Sequence, residues 1–419
     1  LADKHQACPY CGFTAPKIKE YVTKEITHSA LTTQKCIIKY RARRYKCPCC
    51  GKTYYEFNPF VFKSQKISIL TVHNILKDLK DFNETFTSVA RRYHVSPTSV
   101  STIFDNHVDI GRNPLPEIIN FDEVYAFKSE KSKYVCVLLD FKKQIPVDVL
   151  PNRKKEYLLN YFQKIPLEER KKVKYACSDM YEVYRDVVHK VFPEAKHLLD
   201  YFHLSQDFHK KMNEVRIKVM KGYKDNKASD EYYLLKKFNW LLFKNPEDED
   251  KYGRLFDVER ERKYNSHFKS YMNYYDLRKK ILEINNDLTI CYSLKLELVD
   301  FYSKSTIDNA QVNLEHLIRS FIDTNIEEMI KFSNNLINWK QEIINSFTIV
   351  GTEYKVEADK GQVVVCNKKV NNAIIENRNK IIKCIKNNAN GYTNWSRFRN
   401  RVMYVLDPNA TFSLEPREK

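Results

Sequence analysis

The order of strands and helices after residue 118 restricts the fold of this chain more than any other feature. Apolar runs at 118–125, 133–141 and 144–150 predict three successive strands. The elements predicted after them are a helix at 153–163, a strand at 172–178, a helix at 181–191, a strand at 195–199 and a helix from 201. Strands that alternate with helices in this way predict an α/β domain.

Three strands followed by a helix–strand–helix–strand–helix series is the order of elements in the ribonuclease H-like fold. In that fold Asp122 lies on the first strand and Asp179 ends the fourth. Ligands of α/β sheets bind beyond the carboxyl ends of the strands, so both carboxylates are candidate site residues. Glu123 points to the opposite face of its strand and is not expected to share a site with Asp122.

A helical insertion, at about 205–365, is predicted inside this domain. The chain is amphipathic with helical spacing to about 350, and it has no proline from 247 to 407. A short irregular or β segment is expected at 352–369. Two helices follow it, one with Glu376 and a basic one at about 394–406. We assign residues 118–419 to a catalytic domain that contains this insertion.

Two CxxC pairs predict a small zinc-binding module at residues 1–62. Cys8 and Cys11 form the first pair and Cys47 and Cys50 the second, with Cys49 as a spare thiol. Paired CxxC knuckles followed by glycine usually close a tetrahedral structural zinc site, and so small a module needs the metal to fold. A coincidental pair of reduced cysteine clusters is the alternative. A redox pair is disfavoured because no thioredoxin-like pattern surrounds either motif.

Positive charge is concentrated in this first segment. The whole chain carries +18, and residues 1–66 contain 13 basic and 4 acidic residues. Such an excess is expected of a surface that meets a polyanion. Within "YRARRYK" we predict that Arg41, Arg43 and Arg44 contact DNA phosphates. A solvated strand face on a merely basic protein is the alternative.

Residues 63–110 predict a helix-turn-helix DNA-binding domain. The segment "FTSVARRYHVSPTSVSTIFDNHV" has the apolar spacing of two short helices, with Ser96 as N-cap and Pro97 at the first helical position. His94 is expected at the turn position that is usually glycine. The candidate groove contacts are Thr98, Ser99 and Thr102. An ordinary helical hairpin remains the alternative.

Three carboxylates, Asp122, Asp179 and Glu376, are the candidate catalytic residues. Converging carboxylates hold the divalent cations that clamp a phosphodiester under attack, and magnesium or manganese suits such oxygen-only ligation. For Glu376, an internal salt bridge in a basic helix is an equal alternative. Asp200 and His203 share one helical face at a strand-to-helix junction. They are candidate supporting groups, and a simple N-cap role explains Asp200 equally well.

Several separated motifs resemble the ISL3 group of bacterial insertion-sequence transposases. They are "FDEVYAF", "SDMYEVYRDVV", "FPEAKHLLDYFHL" and "NNAIIENRNKIIKCIKNNANGYTNWSRFRNRV", and the similarity spans essentially the whole chain. The resemblance implies a DDE catalytic domain of ribonuclease H-like fold with Asp122, Asp179 and Glu376 as its triad. It also implies cleavage and strand transfer at terminal inverted repeats.

One motif departs from the family pattern. Members usually show N-G-P-x-E-G around the glutamate, whereas this chain has Asn372, Ala373 and Ile374 before Glu376 and Asn377 after it. A catalytically inactive, transposase-derived DNA-binding protein or repressor is therefore the alternative function. A ribonuclease H-like nuclease without strand transfer is a third.

Partners and location follow from the same features. We expect double-stranded DNA as partner, at element ends and target, and a homo-oligomer on DNA, because two ends must be held together. Scattered single cysteines such as Cys136 and Cys177 favour a reducing compartment, and no apolar run is long enough for a membrane helix. A bacterial cytoplasmic, nucleoid-associated protein is expected. Because the chain starts at Leu1, an upstream segment is expected as well.

Overall fold

The structure, a computed structural model, describes residues 7–29, 34–62, 65–127, 132–356 and 363–417. The first element group is an antiparallel sheet of β1 (Lys17–Thr27), β2 (Ile37–Lys46) and β3 (Thr53–Tyr55), in that order. The alternating Thr, Ile and Tyr residues of 30–47 predict a strand between the two CxxC pairs. That strand, β2, begins at Ile37, and residues 30–33 lie outside the described residues.

Three helices follow: α1 (Ile69–Asp78), α2 (Phe86–Arg92) and α3 (Pro97–His107). The helical spacing of Leu70, Ile75, Leu76 and Leu79 predicts one apolar face. Ile75, Leu76 and Leu79 are fully buried, whereas the prediction for Leu70 is wrong, because its side chain is 49% exposed. The helix begins only at Ile69, after the Ser68 N-cap, so that Leu70 falls on the outer face of its first turn.

A five-stranded mixed sheet occupies the middle of the chain. Its strands and flanking helices are β4 (Ile118–Val124), β5 (Val135–Asp140), β6 (Pro146–Leu150), α4 (Lys155–Gln163), α5 (Leu167–Arg170), β7 (Tyr175–Ser178), α6 (Glu182–Val191), β8 (Lys196–Leu199) and α7 (Tyr201–Lys221). The strand order is β6-β5-β4-β7-β8, with β7 parallel to both neighbours and β5 antiparallel to β6. The predicted α/β alternation is confirmed, apart from the short α5.

The region after α7 is mainly helical. Its elements are α8 (Asp230–Lys237), a 3-10 turn (Asn239–Phe243), β9 (Glu249–Asp250), β10 (Gly253–Arg254), β11 (Lys263–Asn265), β12 (Ser270–Met272), α9 (Tyr274–Glu283), α10 (Asn286–Lys304), α11 (Ala310–Ile322), α12 (Glu327–Asn338) and α13 (Lys340–Asn345). Its helices bury one large apolar cluster, centred on residues such as Phe208, Leu288 and Phe332. The hairpins β9–β10 and β11–β12 were not predicted.

The chain ends with a hairpin and two helices: β13 (Ile349–Val356), β14 (Val363–Lys369), α14 (Ala373–Asn388) and α15 (Trp395–Leu406). A β segment was expected at 352–369, and the hairpin starts three residues earlier. The apolar faces of α14 and α15 share a buried cluster with β5 and β6, which includes Val137, Val149, Ile382 and Phe398.

The residues form two compact units. The first comprises Leu1–Pro116, Asp122–Leu158 and Ala373–Lys419, and the second comprises Glu117–Phe121 and Leu159–Asn372. The boundary falls inside β4. Within the first unit α15 packs on α1 and α3: Tyr404 donates its hydroxyl to the Leu76 carbonyl at 3.0 Å, and Arg397 forms a two-pronged ion pair with Asp105.

Candidate active site and nucleic-acid interface

The four cysteines predicted as zinc ligands come together in the first unit. The sulfur atoms of Cys8, Cys11, Cys47 and Cys50 all lie within 4.8 Å of one another. Cys8 and Cys50 approach to 3.7 Å, and Cys11 and Cys47 to 3.5 Å. Four cysteine sulfurs gathered in this way suit the ligand set of a structural zinc site, so the residues present fit the metal.

The two knuckles have the same backbone geometry. In each one the glycine four residues after the first cysteine donates its N–H to that cysteine's carbonyl at 2.9 Å. Gly12 and Gly51 have φ values of +73° and +71°, a conformation that side chains with a Cβ rarely adopt. Backbone N–H groups, that of Cys50 above all, lower the pKa of Cys47 to about 7. Thiolate formation at neutral pH favours metal ligation.

The three arginines predicted to contact phosphates all lie on β2, with different surroundings. Arg41 is exposed and stacks over the Tyr21 ring at 4.6 Å. Arg44 makes an ion pair with Glu20 at 2.7 Å, and Arg43 lies 3.7 Å from Glu56. Arg41 is therefore directly accessible to a phosphate. Arg43 and Arg44 would first have to leave their carboxylate partners, Glu56 and Glu20, to bind one.

The segment predicted as a helix-turn-helix forms two helices joined by a four-residue connection. His94 has φ +54°, as expected for the turn position. Ser96 caps α3 by accepting the Ser99 N–H at 3.0 Å, and Pro97 occupies the first turn. Thr98 and Thr102 are exposed, while Ser99 is half-buried and also bonded to the Ser96 hydroxyl. Thr98 and Thr102 thus lie on an accessible face of α3.

Asp122 is buried near the end of β4, with 8% of its surface exposed. Its Oδ2 accepts a hydrogen bond from the Asn379 side-chain amide at 2.8 Å, and its Oδ1 accepts the Glu123 N–H at 2.7 Å. Glu123 itself pairs with Arg153, away from Asp122, as the alternation of side chains predicted. Carboxylate oxygens are ordinary ligands of hard divalent cations, so Asp122 is suited to a metal site.

Glu376 lies in the first turn of α14 and is half-buried. Asn379 follows it by three residues on the same helix and therefore lies on the same face. The hydrogen bond from Asn379 to Asp122 thus fixes the first turns of α14 relative to the end of β4, within the first unit. Among the described residues Glu376 makes no ion pair, which disfavours the internal salt bridge.

In the second unit, Asp179 directly follows β7, where that strand runs parallel to β4. Asp200 occupies the N-cap position of α7, but its side chain accepts no hydrogen bond from the helix N–H groups. It accepts the backbone N–H of Asn372 at 3.4 Å instead, and its Oδ2 lies 3.9 Å from His203 Nε2. The simple N-cap explanation of Asp200 is therefore disfavoured.

Comparison with known proteins assigns the chain to a family. Residues 119–358 match the family model for DDE transposases of the ISL3 group, which is described as a transposase. The matched range is more than half of the chain. This protein belongs to the ISL3-group DDE transposases. It is also 19% identical over 409 residues to the transposase of insertion sequence element IS1001 from Bordetella parapertussis, which covers 97% of this chain and 90% of the relative.

The matched range contains two of the three candidate catalytic residues of the transposase. Asp122 and Asp179 lie inside residues 119–358, and Glu376 lies beyond them. Transposases act on DNA, which agrees with the positive charge of the chain. None of the helices that the structure describes is long and apolar enough to span a membrane.

The structure also reveals a pair of buried asparagines that sequence reasoning missed. Asn120 donates its side-chain amide to the Asn372 side-chain oxygen at 2.7 Å, and the Asn372 amide reaches the Phe121 carbonyl at 3.3 Å. Both are fully buried in the second unit. Asn372 ends the second unit, so this pair ties the last residue of that unit to β4. The signal available in the sequence was an asparagine inside the apolar strand "IINFDEV".

Proposed function

We propose that this transposase binds the terminal inverted repeats of its insertion sequence, cleaves the DNA strand there and joins the freed 3′ end to target DNA. Asp122, Asp179 and Glu376 are its catalytic carboxylates. The observation that carries the proposal is the hydrogen bond between buried Asp122 and Asn379, which joins the first candidate acid to the helix of the third.

The strand positions of the first two acids support their assignment. Asn120 lies opposite Cys177 on the parallel strands β4 and β7. Asp122 follows Asn120 by two residues and Asp179 follows Cys177 by two, so each acid lies near the carboxyl end of its own strand. That is the usual location of ligands in α/β sheets. The order of elements from β4 to α7 likewise supports a ribonuclease H-like fold for this region.

A contact within the first unit supports the position of Glu376. Asn379, one turn after Glu376 on α14, is bonded to Asp122 at 2.8 Å. In the second unit, Asn372 is separately bonded to Asp200 and Asn120. The contact with Asp122 forms without the glycine–proline turn that is usual in the family.

The donor set fits magnesium. All three candidate ligands are carboxylates, which hard divalent cations prefer. The side-chain oxygen of Asn379 adds an observation of the structure: it is buried, and within the described residues it has no hydrogen-bond partner. A buried oxygen without a partner, next to Asp122, suits a metal site, because a cation or a water molecule bound to it would contact that oxygen.

The roles of the side chains follow from these positions. Asp122, Asp179 and Glu376 would hold magnesium, or manganese in its place. Bound magnesium would supply Lewis-acid activation of the scissile phosphodiester and of the attacking hydroxyl. Asn379 orients Asp122 by donating to one of its oxygens. Asp200, which accepts the Asn372 N–H, and His203, 3.9 Å from Asp200, are supporting groups within the second unit.

DNA recognition is assigned to the amino-terminal parts of the chain. Zinc bound by Cys8, Cys11, Cys47 and Cys50 would hold the end of β2 beside the start of β1, and Arg41 would contact phosphates from β2. The exposed residues of α3, Thr98 and Thr102, would contact bases in the major groove. Cutting and joining both ends of an element requires at least two protomers, so we propose a homo-oligomer on DNA.

The test is strand transfer of a labelled, pre-cut element end into plasmid DNA with magnesium or manganese. The full chain is expected to form joined product. Glu376→Gln, which keeps the size of the side chain but loses its charge, is expected to reduce joining by about 100-fold or more, as loss of several kcal/mol of metal-assisted stabilisation implies. Asn377→Ala is the matched control, because that exposed neighbour is not part of the proposed site.

Three results would contradict the proposal. Equal joining by Glu376→Gln and wild type would remove Glu376 from the site. Specific binding of the element end without cleavage or joining would favour the inactive DNA-binding protein. Cleavage without joining would favour a ribonuclease H-like nuclease.

A further inference from the structure

Two histidines and a glutamate meet in the second unit, apart from the residues discussed above. His189 lies on α6, His197 on β8 and Glu342 on α13. The Oε1 atom of Glu342 is 4.0 Å from Nε2 of His189 and 3.9 Å from Nδ1 of His197. One ligand atom from each side chain lies within 4.8 Å of the other two.

The hydrogen bonds of Ser178 determine which nitrogen of His197 carries its proton. The Ser178 hydroxyl donates to the Asp179 carbonyl at 2.9 Å. Because a hydroxyl has one hydrogen, its 2.9 Å contact with Nε2 of His197 must be one in which the histidine donates. With Nε2 protonated, Nδ1 of the neutral ring presents a lone pair to the cluster.

That lone pair is buried beside a carboxylate. His197 is 1% exposed, and in the part of the chain that the structure describes its Nδ1 atom has no hydrogen-bond partner. At 3.9 Å the Glu342 oxygen is too distant for a hydrogen bond. A nitrogen lone pair and a buried carboxylate that face each other repel, and a cation between them would convert the repulsion into two favourable contacts.

We propose that His189, His197 and Glu342 bind a transition-metal ion, with zinc as the expected occupant. Imidazole nitrogen and carboxylate oxygen are ordinary zinc ligands, and with bonds of about 2.0–2.1 Å tetrahedral ligands lie roughly 3.4 Å apart. The distances from the Glu342 oxygen to the two histidine nitrogens therefore need to contract by about half an ångström. The bond from His197 Nε2 to Ser178 is the outer contact that metal-binding histidines usually make through their second nitrogen.

The surroundings of the cluster permit access for an ion, and the charge of Arg185 also acts on Glu342. The His189 side chain is 56% exposed, so an ion and a water ligand can reach the site from solvent. Arg185 directs its guanidinium to the Asn338 carbonyl at 2.9 Å and stacks over Trp339 at 4.3 Å. A bound ion would crosslink α6, β8 and α13. This site is independent of the proposed DNA chemistry.

The test is zinc binding by the purified full chain in excess magnesium. Wild type is expected to bind two zinc ions per chain, one at the four cysteines and one at the new site. His189→Ala and Glu342→Gln are expected to bind one, with affinity for the second lowered at least about tenfold. His316→Ala, an exposed histidine of the same unit, is the matched control and should retain two.

Cobalt(II) separates the two sites spectroscopically, because only the cysteine site gives intense thiolate-to-metal absorption. In wild type, the second equivalent of cobalt(II) should add weak d–d bands without new thiolate absorption. These added bands should be absent in His189→Ala. One metal per chain in wild type would overturn the proposal. Binding of two metal ions per chain by wild type, His189→Ala and Glu342→Gln alike would also overturn the proposal. Because His189 is largely exposed, its replacement by alanine should leave the fold intact, which the circular dichroism spectrum verifies.

Discussion

At the scale of single residues, Asn379 is the group whose role is most specific. Its amide donates to Asp122, and its buried oxygen faces the proposed magnesium site. We expect Asn379→Ala to raise the magnesium concentration needed for half-maximal strand transfer by about 10- to 100-fold, the usual effect of losing an outer contact of a metal ligand. Asn377→Ala should leave it unchanged. An unaltered magnesium dependence in Asn379→Ala would show that the residue is only structural.

Lys295 gives a second residue-scale prediction, on stability. Burial lowers its pKa from 10.5 to about 7, and its Nζ donates to the Leu242 carbonyl at 3.3 Å. Between pH 7 and pH 10.5 the Lys295 amine is therefore protonated in the unfolded chain and neutral in the folded chain. The free energy of unfolding should therefore rise with pH from about 7 to 10.5, at up to about 1.4 kcal/mol per pH unit from this one group.

Replacing Lys295 by methionine should remove that contribution. The Tm of wild type minus that of Lys295→Met is expected to increase between pH 7 and 9.5. Lys279→Met, at an exposed lysine of the same unit, should give a constant difference. A Tm difference that stays constant with pH for Lys295→Met as well would mean that the lysine stays charged inside the fold.

At the scale of elements, β2 and α3 are expected to affect DNA binding in different ways. Arg41→Ala should weaken binding to all sequences and lower the slope of log K against log salt by about 0.9, because one phosphate contact is lost. Thr98→Ala with Thr102→Ala should weaken binding to the element end but leave the slope and the non-specific affinity unchanged. Fluorescence anisotropy at several salt concentrations measures both. Equal effects on specific and non-specific DNA would contradict the assignment of α3 to base contacts.

Elements with strong local signals were predictable. Ser96, Pro97 and His94 set the start of α3 and the turn before it, because capping, proline geometry and a left-handed residue act within a few positions. The strands around β4 and β7 were predictable from continuous apolar runs. The hairpins β9–β10 and β11–β12 were not, since strands of two or three residues have no measurable period and depend on the surrounding fold.

At the scale of the whole molecule, the sequence predicted the candidate site residues but not the long-range contacts between them and their partners. The candidate acids were found from strand ends and family motifs. Their anchors were not, because Asp122 and Asn379 are 257 positions apart and Asn120 and Asn372 are 252 apart. The cluster of His189, His197 and Glu342 was missed for the same reason. No spacing rule links residues that only the fold brings together.

The most direct test of the central claim, that Asp122, Asp179 and Glu376 hold one metal site, is iron-directed cleavage of the polypeptide. Iron(II) replaces magnesium in the full chain, and ascorbate with peroxide generates hydroxyl radicals that cut the nearest backbone. We predict cuts near residues 122, 179 and 376, suppressed by excess magnesium, and loss of all three in Asp122→Asn. Cuts near 179 or 376 that persist in Asp122→Asn, or that are missing from wild type, would contradict a shared site.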